Sequence, residues 1–194
     1  MYNHLTVQKM NLNNRLSDLF LNDAADYLNR YQNLKESASH TGLRSKLLVD
    51  LLFALECSLK SLIFLESNLD SKTTYKEIKS IGHSIDKLRE RLSENSRMEF
   101  TKLVNIDLSI YKVFNRYMLE SELVFREESG VLGRKYYDSI ADPAWMESLF
   151  QQINLFKEYV SSRGGTVFEI FNIADVDIEV EQMKHLMLKE IISK

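Results

Sequence analysis

Apolar residues recur at spacings of three and four through the first third of the chain, the pattern typical of amphipathic helices. The pattern predicts a first helix over residues 13–36 and, after a small and polar break, a second helix over residues 43–67. The second helix is the more hydrophobic of the two, with leucines covering more than a third of its circumference. We therefore expect it to be the central helix of the fold.

The middle of the chain predicts shorter elements and one long helix. Residues 68–74 read as a loop, and residues 76–81 lead towards Ser84, a good N-cap for a short helix over residues 85–93. Apolar residues at helical spacing then predict one continuous helix over residues 97–127. Their expected core-facing set is Phe100, Val104, Leu108, Tyr111, Phe114, Tyr117 and Met118.

The next segment predicts a loop and then a well-capped helix. Residues 128–141 contain two glycines and a Tyr136-Tyr137 pair that we expect to be exposed. Asp142 is a natural N-cap and is followed by a proline, which the first turn of a helix tolerates. A helix over residues 144–162 is therefore expected, ending at the Gly164-Gly165 pair.

These patterns predict an all-α fold, an up-and-down helical bundle of about five to six helices. Alternating apolar residues favour a short extended segment near 166–180, and a last helix is expected over residues 179–192. Residues 1–163 are expected to form one helical domain, and residues 164–194 a C-terminal extension that packs on the bundle. Six glycines and one proline among 194 residues are too few turn signals for a β-sandwich or barrel.

Composition excludes several classes of protein. The single cysteine, Cys57, excludes an intrachain disulfide framework and any multi-cysteine zinc site, and its leucine-rich surroundings predict an inert core thiol. The polar N-terminus lacks the apolar stretch of a signal peptide, and three charges within residues 47–65 argue against a membrane span. We therefore expect a cytoplasmic protein without a membrane partner.

Sites for metals and phosphate loops are not apparent in the sequence. The four histidines are far apart and lack partners at metal-ligand spacing, so no metal and no cofactor is predicted. No glycine-rich loop precedes a helix. The net charge of −3 gives no global positive field that would attract nucleic acid.

Two short segments carry the candidate chemistry. Glu56 and Lys60 stand at positions i and i+4 of the central helix in the favourable order, and the flanking leucines predict that both are partly shielded from water. His83 stands between Gly82 and Ser84, directly before a helix. Its ring can offer a nitrogen to a neighbouring carboxylate or to the free N–H groups of the helix, and it can titrate near neutral pH.

The two segments together resemble motifs of the bacterial HEPN superfamily of helical domains. Residues 54–62, Ala-Leu-Glu-Cys-Ser-Leu-Lys-Ser-Leu, match the second-helix motif of one sub-group in full. Residues 82–88, Gly-His-Ser-Ile-Asp-Lys-Leu, match its loop motif, with Ser84 where the family often has aspartate. The spacing between the motifs also fits, and Arg116-Tyr117 followed by Glu120 is similar to a third feature of the sub-group.

The resemblance, which covers residues 13–127, implies a helical bundle that forms a homodimer and is associated with RNA or a nucleotide. It implies a setting in toxin–antitoxin pairs, phage defence or RNA processing, with an antitoxin or a nucleotidyltransferase as a partner. The site residues implied are Glu56, Lys60, His83, Arg116 and Tyr117. The basic residues Lys76 and Lys79, which precede the histidine, are also predicted to bind the ligand or RNA.

Many HEPN relatives are metal-independent ribonucleases with an arginine, four to six intervening residues and a histidine. This chain departs from that pattern, because Lys76 has the separation from His83 but lacks the planar guanidinium. RNA binding with or without cleavage by His83 therefore remains open, as does a non-catalytic dimeric module that binds a protein partner or a small ligand.

Local charge adds one indication. Residues 72–102 contain eight lysines and arginines against five acidic residues, whereas residues 164–194 contain three lysines against six acidic residues. This predicts a mildly basic face near His83 and an acidic tail, although a solvated surface of mixed charge explains the same counts. Simple structural roles are also open for the candidates: an ordinary helix ion pair for Glu56 and Lys60, a satisfied loop residue for His83 and an amphipathic pair for Arg116-Tyr117.

Overall fold

A computed structural model describes residues 12–108 and 123–164, together with residues 185, 188, 189 and 192. The described residues form an all-α helical bundle without strands, which confirms the predicted fold class. Helix α1 spans Leu12–Leu34, a short 3-10 turn spans Lys35–Ser37, and helix α2 spans Thr41–Glu66.

Helices α1 and α2 form an antiparallel hairpin. Each step forward along α1 meets a residue further back in α2, as three contacting pairs show: Ser17 with Ser61, Tyr27 with Phe53, and Arg30 with Asp50. The hydroxyls of the first pair lie 2.7 Å apart inside the interface. Only six residues connect the two helices, and such a short connection favours packing of the helices side by side.

Helix α2 is the centre of the core, as its leucines predict. It contacts α1, α3, α4 and the last long helix of the described chain, so almost every face of it is covered. The large side chains that it buries completely are Leu48, Leu51, Leu52, Leu55, Leu59, Leu62 and Phe64. An ionisable group on this helix is therefore held on a rigid and largely dry support.

Helix α3 spans Ser71–Ile81. Residues 71–74, which were predicted to belong to a loop over residues 68–74, are therefore the start of this helix. The reason is Asp70, whose carboxylate accepts hydrogen bonds from the backbone N–H groups of Lys72 and Thr73, each at 3.1 Å. Helix α4 spans Ile85–Glu90, and Ser84 is its N-cap, as predicted.

The prediction of one helix over residues 97–127 is wrong. Helix α5 spans Glu94–Leu103, and the backbone at Val104 is extended. The side chain of Gln152 accepts the N–H groups of Asn105 and Ile106, at 2.9 and 3.4 Å, so these groups do not continue the helix. The later part of the predicted core-facing stripe, residues 111–118, lies outside the described residues.

The prediction that Tyr136 is exposed is also wrong. Residues 123–125 are helical, Arg126 and Leu132 form an isolated antiparallel bridge, and helix α6 spans Arg134–Tyr137. The Tyr136 ring is buried, and its hydroxyl accepts a hydrogen bond from Arg44 at 2.8 Å. Tyr137, the second tyrosine of the pair, is exposed as expected.

Helix α7 spans Pro143–Arg163 and runs parallel to α2. Its first turn is near the end of α1, where Lys35 pairs with Glu147 at 2.9 Å, and its last turn is near the end of α2, where Arg163 lies 3.4 Å from Glu66. The Asp142 carboxylate caps the helix at the N–H of Ala144. This cap and the proline at the first turn confirm the predicted start.

The predicted extended segment near 166–180 lies outside the described residues. Residues 185, 188, 189 and 192 are helical, and Leu188 packs against the core. No helix within the described residues is long and apolar enough to cross a membrane.

Candidate functional site

The carboxylate of Glu56 is the centre of the candidate site. Glu56 lies in the middle of α2, and only 3% of its side chain is exposed. One helical turn later, Lys60 donates a hydrogen bond from Nζ to Oε1 of Glu56 at 2.5 Å. A buried carboxylate needs such a partner, because desolvation of an isolated charge is costly. Both charges are shielded, as the flanking leucines predict.

His83 completes the cluster from a different part of the fold. Its Nδ1 atom lies 2.9 Å from Oε2 and 3.1 Å from Oε1 of Glu56. Gly82 ends α3 with a φ of 68°, a left-handed conformation that side chains rarely adopt. This turn brings the following histidine onto α2, where its ring packs edge-on against Phe53 with centroids 5.8 Å apart.

The bond to Glu56 determines what the imidazole can do. With a carboxylate at Nδ1, the neutral ring carries its proton on that nitrogen, so Nε2 is a hydrogen-bond acceptor and a base. The protonated ring is a donor at Nε2. About half of the His83 side chain, 53%, is exposed, and Nε2 makes no hydrogen bond with any described residue. The cluster therefore presents one oriented ring nitrogen to solvent.

Lys60 is less accessible to a ligand than His83. Its side chain is 14% exposed, and its ammonium lies 5.8 Å from the centroid of the Phe20 ring while it binds Glu56. The lysine and glutamate charges therefore largely balance each other within the protein. Protonation of His83 would add one positive charge at the exposed edge of the cluster.

A second buried carboxylate of α2, missed at the sequence level, lies six residues before Glu56. The side chain of Asp50 is 3% exposed and binds the Nε and Nη2 atoms of Arg30 on α1, the first of them at 2.9 Å. Burial raises the pKa of Asp50, and Arg30 opposes that rise. The sequence contained one indication of this pair, an acidic residue within the helix expected to be central. The partner could not be identified, because it lies on another helix.

Cys57 does not take part in the chemistry. Its thiol is free and buried, and burial together with the nearby carboxylates of Glu56 and Asp23 raises its pKa to about 12. A thiol with this pKa is not a nucleophile at neutral pH. The expected core position of this cysteine is confirmed.

The remaining predicted site residues do not join the cluster. Lys76 and Lys79 lie exposed on α3, and no hydrogen bond or ion pair links either of them to Glu56, Lys60 or His83. Arg116 and Tyr117 lie outside the described residues. Three candidates from the sequence therefore come together, and two lie apart from them.

Within the described part of the chain, no group of three His, Cys, Asp or Glu side chains is arranged to hold a metal ion. Comparisons of the chain with protein-family models, with curated proteins and with solved structures found no match.

Proposed function

We propose that this protein is a HEPN-like helical protein that binds RNA, with His83 as a contact to the phosphate backbone. The observation that supports it is the arrangement of a buried glutamate, an ion-paired lysine and a half-exposed histidine in the two segments that resemble HEPN motifs. The biological setting proposed with it is a toxin–antitoxin pair, phage defence or RNA processing.

The chemistry of an oriented imidazole suits RNA in two ways. In its protonated form, Nε2 of His83 can donate a charge-assisted hydrogen bond to a phosphate oxygen. In its neutral form, the same nitrogen can accept a proton from a ribose 2′-hydroxyl, the group that distinguishes RNA from DNA. Glu56 serves both forms, because it holds the ring through Nδ1.

Binding is the primary part of the proposal and cleavage is a separate step. The chain lacks an arginine separated from any following histidine by four to six intervening residues, and Lys76 offers only a point charge in the corresponding place. RNA cleavage without a metal ion is therefore tested independently of RNA binding.

RNA binding is tested by fluorescence anisotropy with a labelled single-stranded RNA, over a series of salt concentrations. We expect log Kobs to fall linearly with log salt concentration, because phosphate contacts release counterions. His83→Ala should weaken binding about tenfold. His40→Ala is the matched control, since His40 is also exposed and its side chain makes no capping hydrogen bond. Equal binding by both variants and the wild type would refute the role of His83.

RNA cleavage is tested by incubation of the protein with total RNA in the presence of EDTA, beside His83→Ala. Cleavage by the wild type that the variant lacks would identify His83 as the base. Absence of cleavage in both samples, or equal cleavage in both, would exclude catalysis by His83.

A second candidate is a non-catalytic homodimer that binds a protein partner such as an antitoxin or a nucleotidyltransferase. The net charge of −3 favours it, because an acidic protein has no long-range attraction for RNA. A dimer mass by light scattering with no salt-dependent RNA binding would support this candidate. A steep salt dependence of RNA binding would contradict it.

A further inference from the structure

Two buried carboxylates on α2 each hold a half-exposed basic side chain from a different element. Glu56 holds His83 of the α3–α4 turn, and Asp50 holds Arg30 of α1. The side chains of the two carboxylates are 3% exposed, whereas those of His83 and Arg30 are 53% and 55% exposed. Each buried carboxylate therefore orients one basic group at the surface, although burying its charge is costly.

Aromatic rings connect the two basic groups. The ring of His83 packs against Phe53 at 5.8 Å, the Phe53 ring stacks on Tyr27 at 5.2 Å, and the Arg30 guanidinium lies 5.4 Å from the centroid of Tyr27. Both aromatic residues are partly exposed. The four residues form a continuous surface, which we term the His83–Arg30 strip.

Arg30 retains donors for a ligand. A guanidinium carries five N–H donors, and Asp50 takes only those on Nε and one on Nη2. The remaining donors belong to a planar group whose orientation is already set, so little side-chain entropy is lost when an anion binds. A phosphate oxygen is the anion that such a fork suits well.

We propose that the His83–Arg30 strip binds single-stranded RNA through two separate phosphates, one at His83 and one at Arg30. The inference rests on the proposed RNA binding and specifies its substrate class. A nucleoside monophosphate has a single phosphate and cannot occupy both ends of a strip that two aromatic rings separate. An oligonucleotide has a phosphate at every step, and the ribose or base between two of them meets Phe53 and Tyr27.

The experiment compares a labelled oligouridylate of about ten nucleotides with uridine monophosphate as ligands of the full-length protein. Arg30→Gln keeps an amide that can donate to Asp50 and removes the charge. Arg97→Gln on α5 is the matched control, because Arg97 is exposed, forms no ion pair with a described residue and undergoes the same charge change. Thermal unfolding confirms that each variant is folded.

We expect Arg30→Gln to weaken oligouridylate binding roughly tenfold and to reduce the salt slope by about 0.7, the loss of one phosphate contact. Arg97→Gln should stay within about twofold of the wild type. Uridine monophosphate should lose less affinity than oligouridylate in Arg30→Gln, because its single phosphate can still bind at the His83 end.

A gain of affinity provides a second test that misfolding cannot imitate. Asp23 is exposed and lies one helical turn before Tyr27 on α1. Asp23→Asn removes a negative charge beside the strip and should tighten oligouridylate binding by about two- to threefold at low salt.

The outcomes separate the two proposals. If oligouridylate binds the wild type and His83→Ala weakens it, but Arg30→Gln behaves like Arg97→Gln, the role of Arg30 is refuted and RNA binding stands. If the wild type binds no RNA at low salt, both proposals fail together. Equal affinity for uridine monophosphate and oligouridylate would refute the two-phosphate site.

Discussion

The Nδ1 atom of His83 lies 2.9 Å from Oε2 of Glu56, although 27 residues separate the two in the chain. The glutamate belongs to the most buried helix of the fold, and the histidine follows a left-handed glycine at the surface. The hydrogen bond therefore ties an exposed ring to a rigid support. Lys60 occupies the other oxygen of the same carboxylate, so one buried group orients two basic side chains.

Glu56→Gln should lower the free energy of unfolding by about 2 to 4 kcal/mol, because it leaves the shielded ammonium of Lys60 without its counter-charge. The measurement is urea unfolding at pH 7. Lys60→Met added to Glu56→Gln should cost less than the sum of the single changes, by about 1 to 2 kcal/mol.

Asp86→Asn is the control for that prediction. Asp86 is exposed and lies 3.6 Å from Arg89, so breaking this pair should change stability by less than about 0.5 kcal/mol. A similar loss of unfolding free energy in Glu56→Gln and Asp86→Asn would contradict the prediction that the buried pair stabilises the fold more than the exposed pair does.

Asp50→Asn should become relatively more stable as pH rises. The pKa of Asp50 is raised in the folded protein, so the folded state binds its proton more tightly than the unfolded state does. The contribution of Asp50 to stability therefore falls as pH rises from 3.8, its ordinary pKa, through the raised value. Urea unfolding from pH 3 to pH 7 should show the advantage of the wild type over Asp50→Asn shrinking.

Asp70→Asn should show the opposite slope. The hydrogen bonds from the hydroxyl and backbone N–H of Thr73 lower the pKa of Asp70, so its contribution is present above pH 3.8 and is lost as pH falls through the lowered value. The advantage of the wild type over Asp70→Asn should therefore grow as pH rises from 3. Slopes of the same sign in the two variants would refute one of the assigned shifts.

Cys57 should resist thiol reagents in the folded protein. Its pKa of about 12 lies well above that of an unfolded cysteine, so far less of the thiol is ionised at pH 8 and it should react slowly. Labelling with a chromogenic disulfide reagent, before and after addition of urea, measures the difference. The chain has one cysteine, so the signal belongs to it alone, and Cys57→Ala is the blank. Rapid labelling without urea would contradict the burial.

Glu66→Ala should loosen the start of α5. The Glu66 carboxylate accepts hydrogen bonds from the N–H and hydroxyl of Ser93, both at 2.9 Å, and from the hydroxyl of Ser96 at 2.5 Å. Its loss should cost about 1 to 3 kcal/mol and speed amide hydrogen exchange at the start of α5. Glu90→Ala, at an exposed position of α4, should cost less than about 0.5 kcal/mol. Equal rates of amide hydrogen exchange at the start of α5 in Glu66→Ala and Glu90→Ala would refute this role of Glu66.

Features that depend on neighbours in sequence were predictable. The caps at Ser84 and Asp142 were identified because a capping side chain bonds an N–H only two or three residues ahead. The shielded pair of Glu56 and Lys60 was predictable for the same reason, since helix geometry alone brings residues i and i+4 together.

Features that depend on distant groups were not. Helical spacing continues beyond Val104, but Gln152 of α7 takes the backbone N–H groups that would extend α5. Tyr136 lies in a segment whose composition predicts a loop, but contacts with Arg44 and the Phe125 ring bury it. In both cases a contact made across the fold outweighed the local pattern.

The all-α class, the central position of α2 and the choice of Glu56, Lys60 and His83 as candidates were predictable from the sequence, because periodicity and short motifs are local properties. The hydrogen bonds of His83 to Glu56 and of Arg30 to Asp50 were not predictable in this way. These partners lie 27 and 20 residues apart, and nothing local sets their distance. The packing of α1 and of the α3–α4 turn against α2 brings them together, and the cost of burying each carboxylate alone makes the pairing necessary.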